Sequence, residues 1–317
     1  MRAAGGAIVL LAVLGMLFAS GQAAAQGIVW SKLSVDEALV KAKEQNRVLM
    51  IDVFSDHCMQ CKDLDEQLWQ TADGAALGED LIALQIESDG PGGERLRRLY
   101  PVLGLPVVIF IEPDGKEIGR VVGFRGLAEF LTEARNLKAG VDPLPALEAE
   151  LAAHPDGIPQ LVDVMEQYLF RKREAEGKQI LDKLIALDAK RQSSDVTRAM
   201  ALMGKYYENV DGDWEASLGL WKSMVQLYPR SAGATSGISG SCKIAVAWNQ
   251  TREWIDWICA IGDQYPEEGR LHYNIAMIAY RQGLKDDCLA RSARTAIAKG
   301  VGPSNMDSIA VVLEGTR

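Results

Sequence analysis

The stretch VLMIDVFSDHCMQCKDL, Val48 to Leu64, carries an apolar run straight into Cys58-Met59-Gln60-Cys61, with a charged amphipathic segment after it. That order predicts a buried strand, a tight turn and a helix that begins at the cysteines. Two intervening residues put both sulfurs on the first helical turn, close enough to join and to be reopened by thiol attack. Unpaired N–H groups and the positive end of the helix dipole favour a thiolate there, so Cys58 is expected to ionise below the ~8.5 of a free thiol. Cys58 is the candidate nucleophile and Cys61 the resolving thiol of a redox disulfide.

Other uses of the pair are open at this level. A structural zinc site needs further ligands at suitable spacing, and the three histidines, His57, His154 and His272, are scattered. His57, Cys58, Met59 and Cys61 form a local soft cluster able to hold Cu(I). A purely structural disulfide would close so small a loop that it adds little beside the ~3 kcal/mol of a 15-residue loop. No resident metal or other cofactor is expected.

Residues 1–25 combine Arg2, an apolar run from Ala7 to Ala19 and Ala23-Ala24-Ala25, the pattern of a cleaved secretory signal. Export to a bacterial periplasm is therefore expected, a compartment where disulfides persist. The apolar run is short for a ~20-residue span, so the mature chain is not expected to insert in a membrane. A formal net charge of −9 disfavours nucleic acid and anionic lipid as partners.

Ser34-Val35-Asp36-Glu37 is a capping box, and the apolar period after it predicts a helix to about Gln45. Val48–Phe54, Leu81–Ile86, Pro106–Ile111 and Lys116–Val122 read as strands, the last two as a hairpin about Glu112-Pro113-Asp114-Gly115. Gly93–Tyr100 and Leu127–Leu137 read as helices. The expected fold class is α/β, a mixed sheet with helices on both faces, followed by an all-α domain. Asp52, on an otherwise apolar strand, demands a reason.

Asp52, the Cys58–Cys61 pair, the segment YPVLGLPVVIF from Tyr100 to Phe110, and Gly115 and Gly123 occur in an order and spacing that resembles a thioredoxin-fold domain over residues 28–139. Cys-x-x-Cys-Lys and Val-Leu-Gly-Leu-Pro resemble the C-terminal periplasmic domain of the thiol-disulfide interchange protein DsbD, a reductant. The resemblance implies a cis bond before Pro106, with Leu105 offering its backbone to substrate, and a buried Asp52 that assists deprotonation of Cys61. Burial is expected to raise the Asp52 pKa and make it a usable base. Met59 and Gln60 join Leu105 and Pro106 as expected substrate-binding residues, while His57 and Lys62 flank the pair as modulators. Met59-Gln60 stands where Gly-Pro is common and His57 where tryptophan is common, and redox poise is sensitive to both.

Residues 140–149, with Gly140, Pro143 and Pro145, read as a linker between residues 26–139 and a helical region, 150–317. Met203-Gly204-x-x-Tyr207, Asp213-Trp214-Glu215-Ala216 and Tyr228-Pro229, with Tyr265-Pro266 repeating the close, resemble tetratricopeptide units of ~34 residues. Cys242 and Cys259 stand at equal distances from a turn near Asn249–Arg252, a candidate structural disulfide; Cys288 falls at a small-residue position and reads as a packed thiol. The tryptophans of this region read as core.

The function expected is an exported protein-disulfide oxidoreductase, a reductase acting on a protein or peptide disulfide and recharged by an upstream electron donor. The helical region would recruit the partner. The alternative is a periplasmic assembly or scaffold protein whose helical repeats do the main work, with the cysteine pair as a Cu(I) holder or binding surface.

Overall fold

The computed structural model describes residues 27–315, so the expected leader at 1–25 lies outside the described residues. Helix α1 (Val35–Gln45) opens on the expected capping box. Ser34 Oγ accepts from the Glu37 N–H, and the Glu37 carboxylate accepts from the Ser34 N–H at 2.8 Å. Strand β1 (Leu49–Phe54) leads to α2 (Met59–Leu64), whose rod continues through one wider π-helical stretch, Asp65–Trp69. Then come α3 (Ala72–Gly78), β2 (Ile82–Glu87), α4 (Pro91–Leu99), β3 (Val107–Ile111), β4 (Glu117–Val122) and α5 (Leu127–Lys138). Only α3 escapes the sequence pattern, because its apolar period is too short to register.

The strands form one sheet in the order β2-β1-β3-β4, with β1 parallel to β2 and the other neighbours antiparallel. Side chains alternate along β1. Leu49, Ile51 and Val53 enter a core with Ala38 of α1 and Leu96 of α4, whereas Met50 enters the opposite one with Leu64, Leu68 and Phe130. Both faces are covered, which is why these strands read as continuous apolar runs. Asp52 shares the face of Met50 and so lies beneath the helix that starts at the cysteines.

The C-terminal unit is all helix: α6 (Leu144–Ala153), α7 (Ile158–Phe170), α8 (Glu174–Leu187), α9 (Ser194–Tyr206), α10 (Trp214–Leu227), α11 (Gly233–Ala247), α12 (Thr251–Gln264), α13 (Gly269–Arg281), α14 (Asp287–Ala298) and α15 (Met306–Leu313). Helices α10 and α12 stop at Tyr228 and Tyr265, each before a proline that disfavours continuing the helix. Trp221 lies between α9 and α11, where a Cβ on Gly204 or Gly240 would come within 2.8 or 2.6 Å of its ring. Trp221 and Trp254 are buried as expected, while Trp248 is 40% exposed. No described helix is long and apolar enough to cross a membrane.

Two expectations are corrected. The reading of 140–149 as a linker fails because α6 starts at Leu144. Prolines at the first helical positions remove only N–H groups that have no intrahelical partner, and Asp142 Oδ1 accepts from the Leu144 N–H at 2.9 Å. The Cys242–Cys259 pairing also fails. Cys259 is bonded to Cys288 with Cα atoms 6.1 Å apart, and Cys242 is a free, fully buried thiol in the core with Ile238, Ala245 and Trp254. Cys259 sits one residue round α12 from buried Ile258, on a face turned to α14 rather than α11, so Cys288 is neither a free nor an inert packed thiol.

Candidate redox-active site

Cys58 and Cys61 are joined in a disulfide, with Cα atoms 5.2 Å apart. Cys58 is the N-cap of α2, in extended backbone conformation, and the Cys61 N–H donates to its Sγ at 3.1 Å. When the bond opens, that N–H and the helix dipole favour negative charge on the Cys58 sulfur. Cys58 is half-buried and Cys61 is 7% exposed. The geometry thus separates an outer from an inner sulfur. The Cys58 N–H donates to the Ser55 carbonyl at 3.0 Å, which fixes the turn between β1 and α2.

Asp52 is 2% exposed, and its Oδ2 accepts from Gln85 Nε2 at 3.1 Å. The parallel register of β1 and β2 places the two residues opposite each other. Desolvation raises the Asp52 pKa to about 7, against the opposing pull of the Gln85 amide and the nearby Trp69 indole; Asp52 Oδ1 and Trp69 Nε1 themselves have no hydrogen-bond partner among the described residues. Gln85 and Cys61 line one cavity of about 240 Å³, together with Lys62 and Asp65. Gln85 escaped the sequence reading because its neighbour is set by strand register, not by local spacing.

The Leu105–Pro106 peptide is cis. The Pro106 carbonyl accepts from the Gly123 N–H at 2.8 Å, and a Cβ on Gly123 would lie 3.9 Å from Gln60 Oε1. The β4 end therefore bridges the proline to the cysteine loop. Gly123 has φ +76°, a conformation that glycine adopts without steric cost. Neither backbone group of Leu105 is taken up by another loop or cap backbone group among the described residues. Met59 is 69% exposed, and Gln60, His57 and Lys62 are exposed beside the pair; the His57 N–H donates to Ser55 Oγ at 3.3 Å. All of the expected site residues except the pair Cys242 and Cys259 thus belong to this end of the sheet and its flanking helix.

The family model for a thioredoxin-like domain matches residues 35–138. The chain is 32% identical to the thiol:disulfide interchange protein DsbD of Ralstonia nicotianae over 142 residues, which is 42% of this chain and 23% of that protein. Similarity to DsbD of Klebsiella pneumoniae is 31% over 115 residues, 35% of this chain and 19% of the relative. This chain therefore spans about a quarter or less of the length of these relatives. A thioredoxin from Thermus thermophilus is 29% identical, covering 35% of this chain and 88% of that one, with a TM-score of 0.32. The match to the thioredoxin-like domain family thus spans residues 35–138 and contains the Cys58–Cys61 disulfide.

Proposed function

We propose that the chain is an exported protein-disulfide oxidoreductase that works as a reductase. The observation that carries this reading is the Cys58–Cys61 bond at a helix start, with the inner N–H on the outer sulfur and the Leu105–Pro106 loop alongside. In the reduced form the Cys58 thiolate attacks one sulfur of a substrate disulfide, and the other substrate sulfur leaves as a thiolate and takes a proton from solvent. Cys61 then loses its proton and attacks Cys58 Sγ. The Cys58–Cys61 bond forms, and the second substrate thiolate leaves and is protonated. Two electrons and two protons pass from the enzyme to the substrate.

In this reading Asp52, buried on the sheet face that the cysteine helix covers, takes the Cys61 proton. A carboxyl with a pKa near 7 is half-ionised at neutral pH, so it can accept and return a proton in each cycle. Leu105 presents its backbone groups to an extended substrate segment, while Met59 and Gln60 flank the sulfur under attack. An upstream dithiol donor recharges the pair. A periplasmic location is supported by the leader-like residues 1–25 and by the two disulfides, which persist in oxidising compartments. The helical unit, in this reading, recruits the substrate protein.

The test is reduction of a small chromogenic disulfide by the full chain, with a dithiol as recharging donor. Turnover that falls to the uncatalysed rate in Cys58→Ser supports the assignment. Turnover that survives the substitution removes it.

A further inference from the structure

The loop that carries Leu105–Pro106 is built as much by the helical unit as by the sheet. Leu103, 4% exposed, belongs to the apolar core that holds Leu161, Met203 and Trp221. Arg120, fully buried on β4, donates to the Pro101 carbonyl and to the Glu117 carboxylate, and its guanidinium lies 4.1 Å from the centre of the Phe170 ring of α7. Asn209, just after α9, donates to the Val102 carbonyl at 3.5 Å. The wall of the expected substrate groove is therefore a seam between the two units.

A cleft of about 700 Å³ opens along this seam, with Arg97 and residues 102–105 on one side and Lys205, Glu208 and Lys243 on the other. A smaller cavity of about 220 Å³ adjoins it and shares Leu103, Gly104 and Lys205. Gly104 leaves the floor open, since a Cβ there would meet nothing within 4 Å. Leu105, with its backbone groups free of other loop partners, lies at the cleft's edge.

The charges of the cleft do not cancel. Glu208 is spoken for: it accepts from Trp221 Nε1 at 2.7 Å and Ser217 Oγ at 3.0 Å, and it pairs with Lys243 at 3.2 Å. Among the described residues Arg97 donates only to the carbonyl and hydroxyl of Ser88. Lys205 makes no side-chain hydrogen bond or ion pair among the described residues; desolvation lowers its pKa, and nearby Glu208 opposes that by favouring its charge. Asp89, on the rim, is the one other acid among the lining residues. The lining thus holds three cations, Arg97, Lys205 and Lys243, against two carboxylates, Glu208 and Asp89, an excess of one positive charge in a chain whose net charge is −9.

We propose that this cleft receives an extended, acidic segment of the substrate protein, next to the cysteine that reacts with Cys58. The proposal rests on the disulfide exchange assigned above and adds the chemistry of the substrate it selects. A segment that pairs with the Leu105 backbone runs from there into the cleft, where Lys205 and Arg97 meet carboxylates that replace their lost hydration.

The experiment uses the full chain, a small uncharged disulfide, and two synthetic peptides. Each peptide has one cysteine in a mixed disulfide with a chromogenic thiol, flanked by glutamates in one and lysines in the other. Each peptide rate is divided by the same protein's rate on the small disulfide, and then by the corresponding ratio for a free dithiol, which removes intrinsic reactivity. The wild-type chain should favour the acidic peptide by about tenfold, a preference that salt weakens. Lys205→Gln should lower that preference and Lys205→Glu should abolish or invert it. An unchanged preference in Lys205→Glu, or none in the wild type, overturns the cleft assignment while the exchange reading stands. Failure of the wild-type chain on the small disulfide overturns the exchange reading, and this proposal with it.

Discussion

The two disulfides of this chain make the same covalent bond in opposite settings. Cys58–Cys61 spans three residues at a helix start, while Cys259–Cys288 spans 29 and ties α12 to α14 across α13. In the chain-entropy account the second bond removes far more freedom from the unfolded chain, roughly 3 to 4 kcal/mol, than a bond between near neighbours. The first instead has an N–H aimed at its outer sulfur and a buried carboxyl below. Loop length and local donors, not the presence of a disulfide, separate a staple from a reactive pair.

The largest expected effect breaks this contrast at its strong end. Cys58→Ser should remove all catalysed disulfide exchange yet cost no more than about 2 kcal/mol of conformational stability, as read from turnover and a denaturant midpoint. Replacing both Cys259 and Cys288 by serine should do the reverse, costing about 3 to 4 kcal/mol in denaturant unfolding with the small-disulfide rate retained. If the double variant instead loses exchange at full stability, the staple reading is wrong.

Asp52→Asn sharpens the comparison through pH. Burial raises the native pKa of Asp52 to about 7 from an unfolded value of 3.8, so between these values the native state holds a proton that the unfolded state has lost. Its contribution is fully present below pH 3.8 and is lost as pH rises through 7, with a slope of up to about 1.4 kcal/mol per pH unit in between. Asp52→Asn should abolish this slope in denaturant midpoints taken from pH 5 to 7 and should slow release of the reduced substrate. A pH dependence of both midpoint and rate that matches the wild type would leave Asp52 outside the chemistry.

The smallest effect is expected at His57. It is exposed, and the hydrogen bond to Ser55 comes from its backbone N–H, so His57→Ala should change stability by less than about 0.5 kcal/mol. Alkylation kinetics of Cys58 near pH 6 would show whether the imidazole contributes to thiolate formation, with slower labelling in the variant as the expected result.

The N-terminal unit was legible because its signals are local. The capping box at Ser34, the apolar strands, the cysteine spacing and the Gly-Leu-Pro before β3 each act within a few residues. What the sequence hid depends on distant packing. The partner of Cys259 follows from which face of α12 meets α14, and the partner of Asp52 from the register of β2. Leu103 reads as part of the Pro106 loop and proves to be core of the helical unit. Pro143 and Pro145 read as breakers because proline stops a helix in its interior, whereas at a helix start it costs nothing.

The central claim, that Cys58 exchanges with substrate and Cys61 resolves, is tested most directly with Cys61→Ser. Its reduced form should accumulate a mixed disulfide with a disulfide-bonded peptide. Mass spectrometry after non-reducing proteolysis should then find the peptide joined to Cys58 alone, with release only on adding an external thiol. A folded Cys61→Ser chain that forms no adduct, or forms it at Cys242, Cys259 or Cys288, would contradict the account.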